Sequence, residues 1–177
     1  MIVFKEDKSG SYSARTKANV LAADVTIIFA VDFDSAGTKL TKKLALEADK
    51  SILEINVKDQ YYVDSISSAI INFLRITHAS SVNIAGNGMK TLSLYCTQDQ
   101  LDSYIYRIFK RVVDEFPIES MRSGGQTGAD EAGAKAGLKL GIPTKILAPR
   151  GWKFRDATGR DIVNEKEFKA RFGAFGI

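Results

Sequence analysis

The stretch MRSGGQTGADEAGAKAGLKLGIPT, residues Met121–Thr144, has the pattern of a short strand, a glycine turn and a helix that leads to a further strand. The adjacent glycines Gly124 and Gly125 follow a short strand-like segment, and the alanine-rich run after them predicts a helix over Ala129–Leu140. Gly141 then marks the end of that helix. A strand, a glycine turn and a helix in this order are typical of one unit of a parallel α/β sheet.

The rest of the chain repeats this alternation. Apolar, β-branched segments predict five strands: Val25–Val31, Ser51–Val57, Ser81–Gly88, Ile118–Gly125 and Thr144–Gly151. Helical spacing predicts further helices in Ala14–Ala22, Thr38–Ala48, Asp64–His78, Thr97–Phe116 and Asn164–Arg171. This pattern predicts a doubly wound α/β fold with a mainly parallel sheet of five or more strands, in one domain over residues 1–177.

Composition limits the classes of function. The 177 residues carry a formal net charge of +4 and a pI of about 9.1, which mildly favours anionic ligands but is weak for a nucleic-acid binder. The single cysteine, Cys96, leaves no internal disulfide or cysteine-rich zinc site, and the single histidine, His78, leaves little for histidine-based catalysis. No segment approaches the ~18 apolar residues of a membrane span. We therefore expect a cytoplasmic protein without a metal site.

The turn after the fourth predicted strand is the strongest candidate for a ligand site. Glycines allow close backbone approach, and a helix N-terminus presents N–H groups and the positive end of a dipole. We expect a phosphate on this turn, with Asp130 and Glu131 in the first helical turn reaching a ribose or another polyol. The alternative is a tight corner in which Thr127 caps the helix. The predicted binding residues of the turn are Ser123, Gly124, Gly125, Gln126, Thr127 and Gly128.

Two other turns should lie at the same edge, because ligands of parallel sheets bind beyond the carboxyl ends of the strands. Gly37 and Thr38 precede a helix after the first predicted strand. Gly86, Asn87 and Gly88 follow the third. We expect both turns to contribute to the site, although a plain hydrophilic loop with a helix cap would give the first pattern as well.

The C-terminal segment APRGWKFRDATGRD carries a basic aromatic patch. Arg150 and Arg155 flank Trp152, the single tryptophan. An indole beside cations suits a planar anionic ligand, by stacking and by charge. The alternative is a tryptophan that closes the lip of the core within a solvated basic loop.

Several separated motifs together resemble the SLOG superfamily, a Rossmann-like group of nucleotide-binding proteins, and within it the branch of molybdenum-cofactor carrier proteins. RSGGQTGADEAGAKAGLKLGIPT is similar to the opening glycine motif of that branch, and APRGWKFRD to the segment after its second strand. SYSARTKANVLAADVTIIFAVDFDSAGTKLT, Ser11–Thr41, is similar to a later part of the pattern, and VNIAGNG to its final turn.

The order of these motifs differs from that of the family. The SGGQTG strand comes first in the family and fourth in this chain. The chain therefore resembles a circularly permuted member, with the old ends joined through the helix Thr97–Phe116. This arrangement predicts that the segment near Arg15 lies close to the C-terminal patch near Arg155.

The resemblance implies two functions. The first is binding of a small phosphorylated ligand, either nucleotide-like or pterin-like such as molybdenum cofactor, with Arg15, Arg150 and Arg155 supplying charge. The second is hydrolysis of nucleoside monophosphates, as in the related phosphoribohydrolases, with Asp130 or Glu131 stabilising an oxocarbenium-like ribose. The turn here departs from the Gly-Gly-x-Gly-Thr motif of those enzymes. A third class is an interaction module with a vestigial pocket.

A homodimer or higher homo-oligomer is also expected from the resemblance. The segment Leu101–Val113 has apolar and aromatic residues on more than one helical face, so that one face could contact a partner. Burial of the same residues in the core of the monomer is the alternative.

Overall fold

The computed structural model describes residues 1–59 and 62–173. Its strands are β1 (Ile2–Glu6), β2 (Val25–Ala30), β3 (Ile52–Asn56), β4 (Ser81–Gly86), β5 (Ser120–Ser123), β6 (Thr144–Ala148), β7 (Lys153–Arg155) and β8 (Asp161–Val163). Its helices are α1 (Tyr12–Ala22), α2 (Ala36–Glu47), α3 (Val63–Thr77), α4 (Met89–Leu92), α5 (Gln98–Glu115), α6 (Ala129–Lys139) and α7 (Glu165–Gly173).

The first six strands form one sheet in the order β1-β6-β5-β4-β2-β3, and every pair in it is parallel. The prediction of a doubly wound α/β fold is confirmed, with a sixth strand that the sequence analysis did not include. β1 is an edge strand in which Ile2 and Phe4 alternate with the more exposed Val3 and Lys5. It therefore lacks the continuous apolar run by which the central strands are recognised.

Helices cover both faces of the sheet unequally. α3, α5 and α6 lie on one face and enclose the main core, where the rings of Phe29 and Phe109 are 6.3 Å apart, and α7 packs against α6 over a smaller second core. α1 and α2 lie on the other face, where Arg122 of β5 donates to Asn19 of α1. A cleft lies on this second face, lined by residues of both α1 and α2.

α5 has the predicted start and end. Thr97 and Gln100 form a reciprocal capping box at its N-terminus, and the helix stops at Phe116, just before Pro117. Its apolar residues Tyr104, Ile105, Ile108, Phe109 and Val112 are buried in the chain's own core. That burial favours the second interpretation of this helix, as part of the monomer core.

The cleft lies where the direction of the sheet changes. β2 is followed in sequence by β3 on one side, whereas β4 is followed by β5 and β6 on the other. Adjacent β2 and β4 therefore form a topological switch point, the usual ligand-binding crevice of such sheets.

Replacement of two glycines beside this crevice by alanine should change the free energy of unfolding in opposite directions. Gly86 has a φ of 154°, and a Cβ there would approach the carbonyl oxygen of Phe29 within 1.8 Å. We expect Gly86→Ala to lower the free energy of unfolding by about 3 kcal/mol. A Cβ on Gly37 would meet no atom within 4 Å, so Gly37→Ala should raise stability by up to about 1 kcal/mol. Urea unfolding of both variants tests this pair, and equal effects would contradict it.

Candidate functional site

The cleft between α1 and α2 has a volume of about 690 Å³. Its floor is the carboxyl end of β4, and its walls are α1, the start of α2, the turn after β5 and the β7–β8 hairpin. Of the predicted site residues, those that line it are Arg15, Gly37, Gly86, Asn87, Gly88, Gly124, Gln126, Thr127, Asp130 and Arg155. The structure thus brings together segments from five separate parts of the sequence.

The glycine turn after β5 holds an anion that belongs to the chain itself. The amides of Gly124 and Gln126 are close enough to the carboxylate of Asp130 to favour its charged form. The amide of Gly125 donates to the Ser123 hydroxyl at 3.0 Å. The turn therefore directs amides at an anion, as expected of an anion cradle, but the anion beside them is the carboxylate of the chain's own Asp130.

The helix cap at this turn also differs from the sequence-based alternative. Gly128, with a φ of 94°, occupies the N-cap position of α6, and its amide donates to Oε1 of Gln98 at 2.6 Å. Thr127 does not cap the helix. Its hydroxyl donates instead to the carbonyl oxygen of Arg155 at 2.9 Å, which fastens the turn to the C-terminal hairpin.

Arg15 pairs with Asp130 on this turn. Nη1 of Arg15 lies 2.8 Å from Oδ2 of Asp130, and each side chain is 9% exposed. Burial raises the pKa of the Asp130 carboxyl, and the Arg15 guanidinium together with the turn amides opposes that rise. Nε of Arg15 is buried without a hydrogen-bond partner among the described residues. The guanidinium is therefore fixed at one end and has hydrogen-bonding capacity left at the other.

Glu131 lies apart from the cleft, although it follows Asp130 directly. Its carboxylate contacts Lys135 at 2.6 Å and Arg171 at 2.5 Å, and its side chain is 5% exposed. Lys135 also contacts Asp102 of α5 at 2.6 Å. The two acids proposed for catalysis thus occupy different environments, one in the cleft wall and the other in a buried ion-pair network.

Asn87 joins the two remaining turns of the site. Its Oδ1 accepts from the amides of Val31 and Asp32, at 2.8 and 2.9 Å. Its Nδ2 donates to the hydroxyls of Ser35 and Thr38, at 3.1 and 3.3 Å. Asn87 is 3% exposed and thereby holds the start of α2 against the end of β4.

The start of α2 is an open helix N-terminus. Ser35 is its N-cap and makes no capping hydrogen bond from its side chain, and the first turn contains no acidic residue. Thr38 is buried, with its hydroxyl accepting from Ser35 at 2.9 Å, whereas Gly37 is exposed on the cleft wall. The positive end of the α2 dipole therefore has no carboxylate within its first turn, and the nearest acids, Asp32 and Asp34, precede the N-cap.

The C-terminal patch approaches α1, as the permuted order predicts. Arg15 and Arg155 both lie over the ring of Tyr12, with Cζ 5.8 and 4.8 Å from its centroid. The Tyr12 hydroxyl donates to Asp161 at 2.8 Å, and burial and this contact raise its pKa. The predicted proximity of Arg15 and Arg155 is confirmed.

Trp152 and Arg150 are not among the residues that line the cleft in the described part of the chain. The indole of Trp152 packs against Phe168 of α7 with centroids 5.7 Å apart, in a small second core. Arg150 is exposed, and its amide donates to the carbonyl oxygen of Ser9. The geometry favours the interpretation of Trp152 as a core residue.

Sequence reasoning missed three contributors to the site. Tyr12 lines the cleft with a half-buried ring, Lys90 supplies a further cation, and Arg171 supports the glycine turn from behind through a 2.7 Å bond to Gly125. The sequence signal for Tyr12 was its place soon after the N-terminal strand, at the start of α1. Arg171 gives no local signal, because its partners lie 40 and 46 positions away.

The described residues contain neither a membrane-spanning helix nor a cluster of metal ligands. No helix among them combines the length and apolar character that crossing a membrane requires. Residues 1–59 and 62–173 also contain no group of three or more His, Cys, Asp or Glu side chains placed to hold a metal ion.

Among solved structures, the chain is similar to the "putative molybdenum carrier protein" from Syntrophus aciditrophicus, with 23% identity and a TM-score of 0.48. The similarity covers 58% of this chain and 61% of that chain, so that less than two thirds of the carrier's length is matched. At this level the likeness carries no information on ligand or activity. No curated protein matches the chain.

Comparison with family models gives a more specific result. Residues 3–96 match the model of the circularly permutated YpsA SLOG family. The match includes β1 to β4 and the Asn87 turn, and it spans more than half of the 177 residues. The chain belongs to the circularly permutated YpsA SLOG family.

Proposed function

We propose that the chain binds a small phosphorylated ligand, nucleotide-like or pterin-like, in the cleft between α1 and α2, and that it carries, senses or sequesters this ligand without turning it over. The proposal rests on the position and the pairing of Arg15. It is only 7% exposed, lines the cleft and pairs with Asp130 through Nη1 alone. A buried guanidinium with an unused edge suits an oxyanion, which accepts from two of its nitrogens at once.

The charge around the cleft supports the same ligand class. Arg15, Lys90 and Arg155 line it, against the carboxylates of Asp130 and Asp156. Asp130 is neutralised by Arg15, and Asp156 is neutralised by Arg160 at 3.0 Å. Arg155 is paired with Asp161 at 3.3 Å, so that among the described residues Lys90 is the lining cation that remains to attract an anion towards the open N-terminus of α2.

The ring of Tyr12 provides the planar surface that the sequence analysis assigned to Trp152. It lines the cleft beside Arg155, so that a base or a pterin can lie against this pair. Molybdenum cofactor, a planar pterin with a phosphate, is compatible with these groups, as is a nucleotide. Arg15 would hold the phosphate of either ligand. Cytoplasmic location and self-association belong to this proposal as further expectations.

The arrangement of the two acids favours binding over hydrolysis. A glycosidase-type role needs a carboxylate that is free to approach the sugar. Glu131 is held by Lys135 and Arg171, and Asp130 is held by Arg15 and the turn amides. A hydrolase would have to break one of these buried pairs in every cycle.

Thermal unfolding with a panel of small molecules tests the proposal. AMP, GMP, CMP and UMP should each be compared with the matching nucleoside, which lacks the phosphate. A ligand present at a hundred times its Kd stabilises the folded state by about 2.7 kcal/mol. We expect at least one monophosphate to raise Tm while its nucleoside does not, with no free base released. Equal effects of nucleoside and nucleotide, or no effect of any ligand, would contradict the proposal.

Arg15→Lys tests the role of the guanidinium. Lysine keeps the charge near Asp130 but cannot donate from two nitrogens in one plane. We expect about tenfold weaker binding of AMP by calorimetry. Arg75→Lys is the matched control, because Arg75 is exposed in the last turn of α3, away from the cleft, and this variant should bind AMP like the parent chain. Loss of affinity in both variants, or in neither, would argue against a specific role for Arg15.

A further inference from the structure

We propose that the glycine turn of this chain is a clamp for its own Asp130, and that Asp130 is a positioning residue which holds Arg15 for the ligand. The anion of the ligand is then recognised by Arg15 and not by the turn amides. This inference rests on the proposed binding function and specifies how the site achieves it.

Atoms of the chain itself explain why glycine is needed at three positions of the turn, because each would clash with an added Cβ. A Cβ on Gly124 would lie 1.2 Å from Nη1 of Arg15 and 2.6 Å from Oδ2 of Asp130. A Cβ on Gly125 would lie 2.4 Å from the ring of Phe168. A Cβ on Gly128 would lie 2.4 Å from the carbonyl oxygen of Asn87. Each glycine therefore admits an internal neighbour, and Gly124 admits the arginine–carboxylate pair itself.

The backbone amides of the turn likewise interact with a group of the chain itself. The amides of Gly124 and Gln126 favour the charged form of Asp130, and Nη1 of Arg15 donates to its Oδ2 at 2.8 Å. A phosphate in this position would have to displace the buried carboxylate of Asp130. The two negative charges would then remain close together. The arginine offers an easier contact, because its Nε has no partner among the described residues while its Nη1 is held.

Removal of either member of this pair leaves a buried charge without a partner, which is strongly unfavourable. The pair therefore fixes the orientation of Arg15 before the ligand arrives. The turn is itself held from behind, where Arg171 donates to the carbonyl oxygen of Gly125 and pairs with Glu131. Arg15 from α1 contacts Asp130 directly, and Asp130 in turn stabilises the charged form of Arg171 from α7.

The two possible roles of the turn predict opposite effects of changing Asp130. If the turn amides bind the ligand's anion, Asp130 competes with the ligand, and its removal should tighten binding. If Asp130 positions Arg15, its removal should weaken binding. Calorimetric titration with AMP of Asp130→Asn, which keeps the side-chain shape, and of Asp130→Ala distinguishes the two.

We expect AMP to bind about tenfold more weakly to each variant. Asp99→Asn is the matched control: it removes a carboxylate from the first turn of the exposed end of α5, and AMP affinity should stay within about twofold. In the Arg15→Lys background, Asp130→Asn should add little to the loss, because both changes act through one contact. A merely structural role of Asp130 would give additive losses instead.

The outcomes separate the two proposals. AMP binding to the parent chain with equal or tighter binding to Asp130→Ala or Asp130→Asn would overturn the positioning role and leave the binding function standing. Additive losses in the double variant would overturn it as well. Absence of AMP binding to the parent chain, together with absence of binding of the other monophosphates, would overturn the binding function and this inference with it. Circular dichroism identifies a variant that has lost its fold, and the isosteric Asp130→Asn then decides.

Discussion

The contact between Arg15 and Asp130 over Gly124 is the interaction on which the architecture of the site depends. It joins residues 115 positions apart, from the first and the sixth helix of the chain. The pair is 2.8 Å long and nearly excluded from solvent, so that each charge requires the other. Because Gly124 has no side chain, the guanidinium can lie directly on the turn, where the amides of Gly124 and Gln126 also favour the charged form of Asp130.

The sheet explains why this contact is possible in a permuted chain. A parallel sheet places the carboxyl ends of its strands at one edge, whatever the order in which the chain visits them. The order β1-β6-β5-β4-β2-β3 brings the turns after β2, β4 and β5 to the switch-point crevice. α1 and the C-terminal hairpin, distant in sequence, meet there at Tyr12. The site depends on this edge and not on chain order.

Much of the fold could be predicted from the sequence, because the buried parallel strands and the glycine turns carry strong local patterns. The turns at Gly37 and Gly86, and the approach of Arg15 to Arg155, followed from those patterns and the permuted resemblance. The edge strand β1 and the hairpin are short and half-exposed, so they lack such a signal. A glycine turn that holds its own carboxylate and one that holds a phosphate have the same local sequence, and only long-range contacts distinguish them.

The ligand's anion should therefore contact Arg15, while the glycine turn remains in contact with Asp130. Amide and arginine side-chain shifts in ¹H–¹⁵N spectra during titration with AMP test it most directly. We expect large shifts for Arg15 Nε and for the Gly37 amide at the start of α2, and nearly unchanged shifts for the amides of Gly124 and Gln126, which favour the charged form of Asp130. Dominant shifts at Gly124 and Gln126, with Arg15 Nε unaffected, would contradict it.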